Sequence, residues 1–326
     1  TGEAVGCGQC AGCRTTMGRT NADVVFAATE TSIINVETAR SLVLQAQSSP
    51  SQGLWRVIVV EDADRLGESG ANALLKAIEE PPEHTVWLLC APSPEDMIAT
   101  IRSRCRHLGL RIPTASAVAD LLVREGVATP EVALEAARAA QSHIGLARAL
   151  ARDPQIRERR RAIITAPASV RSVGEAVMAA DRLLETAKAQ ADAQVSERNA
   201  REKAELMRQL GMDEGESATK ASRTMIRQLE EDQKRRSKRA LTDAIDRALI
   251  DLLAIYRDVL MVQVGGDGEL INTDLSDLVH EIAQDSTPRQ TLARVDHIET
   301  ARKRLVSNGN PLLVLEDMAI SLRPQA

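Results

Sequence analysis

The sequence predicts an α/β module on a parallel sheet over residues 1–112, followed by all-helical domains. Three observations predict it. Two short β-branched runs, Trp55 to Val60 and Thr85 to Cys90, flank a segment of helical spacing, the pattern of a strand–helix–strand unit. That segment ends at Pro81-Pro82, a helix stop. From Pro113 onward the pattern is helical only, punctuated by glycine and proline.

Taken in order, a first strand spans Asp23 to Ala27 and a helix runs from about Val36 to Gln47. Trp55-Arg56-Val57-Ile58-Val59-Val60 reads as a strand buried on both faces, as in a parallel sheet. Ser69 to Glu80 carries Ala73, Leu74 and Ile78 on one helical face. Thr85-Val86-Trp87-Leu88-Leu89-Cys90 is the next strand, followed by a helical stretch from Glu95 to Ile101. Residues 114–152 hold three short helices, divided by Gly126 with Thr129-Pro130 and by His143-Ile144-Gly145. Residues 154–326 are again helical, broken most clearly at Gly265-Gly266-Asp267-Gly268 and Asn308-Gly309-Asn310-Pro311. Within them, 197–239 carries 12 Lys/Arg and 9 Asp/Glu with few large apolar side chains. That is the composition of a solvated helical hairpin, turning at Gly211-Met212-Asp213-Glu214-Gly215. A nucleic-acid or partner contact through Lys234-Arg235-Arg236-Ser237-Lys238-Arg239 is the other reading, and the nine acids dilute its field.

Composition narrows the function classes. With 41 Lys+Arg against 46 Asp+Glu, the net charge of −5 makes no whole-chain case for nucleic-acid binding. Only Phe26, Trp55, Trp87 and Tyr256 are aromatic, so base stacking is not the main business of the surface. No run approaches the roughly 18 apolar residues of a membrane span. With no signal or transit pattern, a cytoplasmic location is expected. The chain begins Thr-Gly-Glu, without Met, and reads as a fragment of a longer protein.

Three motifs carry chemistry. Cys7-Gly-Gln-Cys10-Ala-Gly-Cys13 sets three thiols at two-residue gaps, the spacing that lets a tight turn present sulfurs to one tetrahedral metal ion. A fourth ligand is expected upstream, because Cys90 ends a strand read as buried and Cys105 lies in an arginine-rich stretch. Three reduced thiols without metal is the alternative. Glu61, Asp62 and Asp64 follow Val59-Val60 at the C-terminal edge of a strand, where α/β sheets place ligand chemistry. Such carboxylates hold Mg²⁺ through water in nucleotide hydrolases, or simply cap a helix. No GxxxxGK[ST] phosphate loop occurs in these 326 residues. Arg102-Ser103-Arg104-Cys105-Arg106 is either a solvated face or a source of one guanidinium for a neighbour's phosphates.

Together these segments resemble the bacterial clamp loader subunits of the AAA+ class, most closely the delta prime type of DNA polymerase III, with the gamma/tau motor type as nearest relative. The resemblance rests on the cysteine trio, "RVIVVEDADRL", "ANALLKAIEEPP", "TVWLLCAPSPEDMIATIRSRC" and "NGNPLLVLEDMAISL", in the family's order. It implies a partial AAA+ module over 1–112, a three-helix lid over 113–153, and a helical collar over 154–326 that joins the subunits. About 190–240 has no counterpart in the family pattern and reads as an insertion.

The resemblance makes Cys7, Cys10 and Cys13 three of four zinc ligands, and places Glu61 and Asp62 at a degenerate Walker B position. Their Glu-Asp order departs from the Asp-Glu of motor subunits, which argues against hydrolysis. Ser103, Arg104 and Cys105 match the family's SRC motif, with Arg104 as the finger inserted into an adjacent ATP site. Loss of such a finger costs on the order of 10³ to 10⁵ in rate. Ala91-Pro92 replace the Thr pair that senses the γ-phosphate, and Arg148 in "GLARAL" matches sensor 2 or is simply a helix-surface arginine. The implied partners are gamma/tau and delta subunits, the sliding clamp and primer-template DNA. ATP or ADP would bind only through the neighbour or an upstream segment. Two other readings remain: an active ATPase whose phosphate loop lies upstream, and a zinc-containing helical scaffold unrelated to replication.

Overall fold

Three parallel strands organise the first part of the chain. The computed structural model describes residues 6–27, 34–210 and 220–323, which fall into two compact units, Thr1–Leu110 and Arg111–Ala326. In the first, α1 (Ala11–Met17), β1 (Val24–Ala27), α2 (Val36–Ala46), β2 (Arg56–Val60), α3 (Glu68–Glu79), β3 (Thr85–Leu89) and α4 (Ala99–Arg102) follow one another. The sheet order is β1-β2-β3, with Val25 opposite Ile58 and Ile58 opposite Trp87.

Local chemistry explains the helices of this unit. The Asn35 side chain accepts from Thr38 N at 2.8 Å and caps α2. On α3, a Cβ at Gly70 would stand 2.8 Å from the Ile34 carbonyl oxygen, so only glycine permits this approach to the chain before α2. Ala39, Leu42 and Ala46 of α2 join Ala71, Leu74 and Ile78 of α3 in one core with Ile58 and Val60.

The expectation of strands buried on both faces is corrected. Ile58 and Val60 are buried under the helices, but Val57 and Val59, on the other face, are only half-buried, and Val86 and Leu88 are 37% and 45% exposed. Among the described residues the helices cover one face, and an uninterrupted apolar run does not reveal which. The helical stretch expected from Glu95 to Ile101 is instead a 3₁₀ turn, Pro94–Asp96, and the single turn of α4. Pro94 sits at the start of that turn, where its missing N–H costs nothing.

Asp23 pins the loop that enters β2. It is 3% exposed, and its two carboxylate oxygens accept from the backbone N–H groups of Ser51, Gly53 and Gln52 at 2.5–2.7 Å. The same amides, Ser51 foremost, hold its carboxyl far below the ordinary carboxylate range.

The second unit is all helical. α5 (Ala115–Arg124), α6 (Pro130–Ala139) and α7 (Ile144–Arg152) enclose a small core around Leu122, Ala136 and Leu150. α8 (Pro154–Ser169), α9 (Val173–Gln209), α10 (Lys220–Gln263), α11 (Ser276–Gln284), α12 (Pro288–Val306) and α13 (Pro311–Leu322) follow. Their main core is separate, built on Ile164, Leu249, Leu252, Ile255, Val259, Ile298 and Leu315. α9 starts at a capping box of Ser172 and Glu175, and α12 at one of Thr287 and Gln290. The charged region around 190–240 is helical, as expected, and pairs the ends of two helices of 37 and 44 residues through bonds such as Arg236 to Glu202. The turn expected at Gly211 to Gly215 lies outside the described residues.

A buried polar network ties the segment after α10 to the helices. Arg160 Nε donates to Asp251 Oδ1 at 3.1 Å and its Nη2 to Asn272 Oδ1 at 2.5 Å. Fully buried Asp258 accepts from the backbone N–H groups of Ile271 and Asn272 and from Asn272 Nδ2.

Replacing Arg160 by Met strands the Asp251 carboxylate and is expected to destabilise the chain by about 3–5 kcal/mol in denaturant titrations. Adding Asp251→Leu should recover most of the loss, since an apolar pair replaces a buried ion pair at little cost. Asp23→Asn is expected to lower the thermal midpoint at pH 7. A carboxyl with a depressed folded pKa stabilises above its unfolded value, near ~3.9, and loses that contribution as pH falls below it. The gap to the parent chain should therefore narrow in scans at about pH 3.

Candidate functional site

The cysteine trio occupies a loop and the first turn of α1. Gly6 and Gly8 take φ of 94° and 73°, which side-chain-bearing residues rarely adopt, and so fold the loop back on itself. Cys10 N then donates to Cys7 Sγ at 3.3 Å, and Cys13 N to Cys10 Sγ at 3.4 Å. All three sulfurs lie within 4.8 Å of one another. Sulfurs bound at ~2.3 Å to one tetrahedral zinc stand about 3.8 Å apart, so this donor set fits the ion. The backbone N–H groups of Gln9 and Cys10 bring the Cys7 thiol down to about 7, whereas the Cys13 thiol is raised, the neighbouring Cys10 and Cys7 sulfurs outweighing a bond from the Gly8 backbone. Cys90, taken from the sequence as buried, is exposed, as is Cys105, and neither joins the cluster.

Asn21 links this loop to the sheet. Its Nδ2 donates to the hydroxyls of Thr15 and Thr16 at 3.2 Å each, and its Oδ1 accepts from Asp23 N just before β1.

At the end of β2, Glu61 N still donates to Ala27 O, continuing the ladder. The Glu61 side chain accepts from Arg19 Nη2 at 2.6 Å, and the Arg19 guanidinium stands 4.9 Å over the Phe26 ring. Asp62 turns the chain with left-handed φ 51° and ψ 48°, its carboxylate 3.5 Å from Arg65. Asp64 Oδ1 is buried without a hydrogen-bond partner. Ala63 N donates to Cys90 O, which brings the end of β3, and with it Ala91-Pro92, alongside this corner.

Ser103 and Arg104 follow α4 directly. Ser103 Oγ donates to Thr100 O at 3.1 Å. Arg104 Nε donates to Glu79 Oε2 and its Nη1 to Thr100 O, both at 3.0 Å, and the residue is exposed. Glu79 is the first glutamate of "EEPP", so the two most specific motifs of the sequence meet in one ion pair. Arg148 lies in the other unit. Its Nε and Nη2 form a fork to Glu125, 2.9 Å to each carboxylate oxygen, joining α7 to the end of α5. Arg148 holds the Glu125 carboxyl below its usual range.

Sequence reasoning missed Arg19 and the partnership of Glu79 with Arg104. Arg19 carries no local signal, being a single arginine after a short helix. Glu79 was visible in "EEPP", but nothing within the sequence pairs it with a residue 25 positions away.

Residues 1–114 match the family model described as "DNA polymerase III, delta subunit". Among curated relatives, subunit delta prime of DNA polymerase III from Escherichia coli is 34% identical over 146 residues, 44% of each chain. Its counterpart in Pseudomonas aeruginosa is 34% identical over 131 residues, 40% of each chain. Subunit gamma/tau from Mycobacterium tuberculosis is 38% identical over 89 residues, 27% of this chain and 15% of that one. The matched stretches thus span less than half the length of these relatives. A solved gamma-subunit-related protein from Thermotoga maritima superposes only loosely, with TM-score 0.41 and 16% identity over 93% of this chain and 83% of that one. The N-terminal part of the chain is thus similar to the delta prime and gamma/tau subunits of DNA polymerase III.

Proposed function

We propose that the chain is a non-motor clamp loader subunit of the delta prime type, which supplies Arg104 to a neighbouring motor subunit's ATP site and helps load the sliding clamp on primed DNA. One observation carries this reading: Arg104 is exposed on a short turn, held by Glu79 and Thr100 through Nε and Nη1, with Nη2 bonded to no described residue. A planar guanidinium presented in this way suits the negative charge that develops on a transferred phosphoryl group.

The strand-end corner supports the non-motor part. Glu61, at the position that would hold Mg²⁺ through water, is already matched by the Arg19 cation. Ala91-Pro92 bring no side-chain donor or acceptor to a γ-phosphate. Arg148 would have to leave its Glu125 fork to serve a nucleotide. In this reading residues 1–112 are part of an AAA+ module, 113–153 the lid and 154–326 the collar that meets the gamma/tau and delta subunits. Cys7, Cys10 and Cys13 would hold zinc, whose contribution is a structural cross-link.

Reconstitution of the loader with the full-length protein carrying Arg104→Ala tests the finger. The expected result is a loss of DNA- and clamp-stimulated ATPase on the order of 10³, with the ring still assembled in gel filtration. Unchanged turnover would sink the assignment. Elemental analysis of the full-length protein should find about one zinc per chain, falling sharply in Cys10→Ser. Absence of zinc from the parent protein returns the trio to ordinary reduced thiols.

A further inference from the structure

A cavity of about 220 Å³ opens between α8, α9, α10 and α13. Its walls are aliphatic, with Ile163, Leu183, Leu252 and Met318 separated by alanines. An apolar cavity of about 150 Å³ stays dry and takes up a benzene ring, so this one has room for a ring of phenyl to indole size. The chain has no ring to put there. Phe26, Trp55 and Trp87 belong to the other unit, and Tyr256 is buried on α10 with Arg294 over its face.

Charge at the edge says more about that molecule. Arg159 and Arg182 line the cavity from α8 and α9, and both residues are exposed. Arg159 Nε bonds only the backbone carbonyl of Gln155, one turn back, at 3.2 Å. Arg182 makes no side-chain hydrogen bond or ion pair with any described residue. By contrast Arg160, Arg236 and Arg302, on the same helical framework, are each matched by a carboxylate. Two guanidiniums without acids beside an apolar hole favour an occupant that couples a ring to carboxylates. The volume falls below the roughly 300–1,000 Å³ of small-molecule sites and matches one anchoring side chain of a protein partner.

We propose that this cavity docks a segment of a partner protein that inserts one aromatic side chain and sets Asp or Glu, about one helical turn away, against Arg159 and Arg182. The site is independent of Arg104, and its test needs neither nucleotide nor DNA. The probes are a fluorescein-labelled peptide Asp-Ala-Ala-Trp-Glu-Ala, capped at both ends, its Lys-for-acid and Ala-for-Trp versions, and free indole-3-propionate, each titrated into the whole chain.

The acidic Trp peptide is expected to bind at least about tenfold more tightly than the lysine version, the worth of one charge-assisted contact, with the alanine version not binding. Ala319→Trp, on the half-buried wall of α13, should abolish binding by filling the hole. Arg182→Glu, an exposed change that leaves the core intact, should reverse the acid-over-lysine preference. No binding of the Trp peptide, equal binding of both charge versions, or indifference to Ala319→Trp in a chain with unchanged circular dichroism would each overturn the proposal. Indole-3-propionate binding as tightly as the peptide would assign the cavity to a free aromatic acid and overturn the protein partner.

Discussion

Burial of Ile58 and Val60 against α2 and α3 is the constraint on which the first unit depends. Each fully buried side chain of this kind contributes about 1.5–3 kcal/mol, whereas an exposed ion pair contributes about 0–1 kcal/mol. The apolar layer therefore fixes the position of the elements, and the charged pairs only orient side chains upon it. Packing on one sheet face sets where β2 and β3 end, and so where Glu61 and Ala91-Pro92 stand. It also sets α3, whose close approach at Gly70 and stop before Pro81-Pro82 bring Glu79 within reach of Arg104. The finger candidate is aimed by a glutamate whose own place depends on Leu74 and Ile78.

The strand-end corner follows the same logic with the opposite outcome. Here the chain brings its own cation, Arg19, held by Glu61 on one side and the Phe26 ring on the other. Arg19 lies two residues beyond α1, whose first turn carries Cys13. Asn21 then fastens α1 to the start of β1. The cysteine loop and the strand-end carboxylate are thus joined by a short, multiply bonded path.

What was legible in the sequence was local. Pro81-Pro82 ends α3, Thr129-Pro130 starts α6 and Asn310-Pro311 starts α13, because caps and prolines act on the residues beside them. The cysteine spacing brought three sulfurs together for the same reason. Pairs distant in sequence were not legible: Arg19 with Glu61, Glu79 with Arg104, and Arg160 with Asp251, 91 positions apart. Any of the 41 basic residues satisfies such a pair on charge alone, and only the fold selects one. The open face of the sheet escaped detection because Val57 and Val59 look the same in sequence whether covered or not. The length of α9 and α10 escaped because a change in composition does not mark a helix boundary.

That change in composition has a physical explanation in how the two long helices pack. Ala176, Ala180, Leu184, Ala187, Ala191 and Val195 of α9 recur at spacings of three and four and make one buried seam. Small side chains there let α10 approach closely, with Ala240 packed in the same cluster as Ala191 and Val195. Beyond Val195 the seam becomes polar, and its cohesion passes to Arg236, which bonds Asn199 and Glu202, and to Gln233, which bonds the Asn199 carbonyl. Three more cations of the basic run have partners: Lys238 with Asn308 at 3.0 Å, Arg239 with Asp243 at 3.6 Å and Arg235 with Asp232 at 3.9 Å. A phosphate backbone would have to compete with these intrachain partners for four of the run's five charges. Through Arg236 the run also fastens α10 to α9 where their apolar seam gives out.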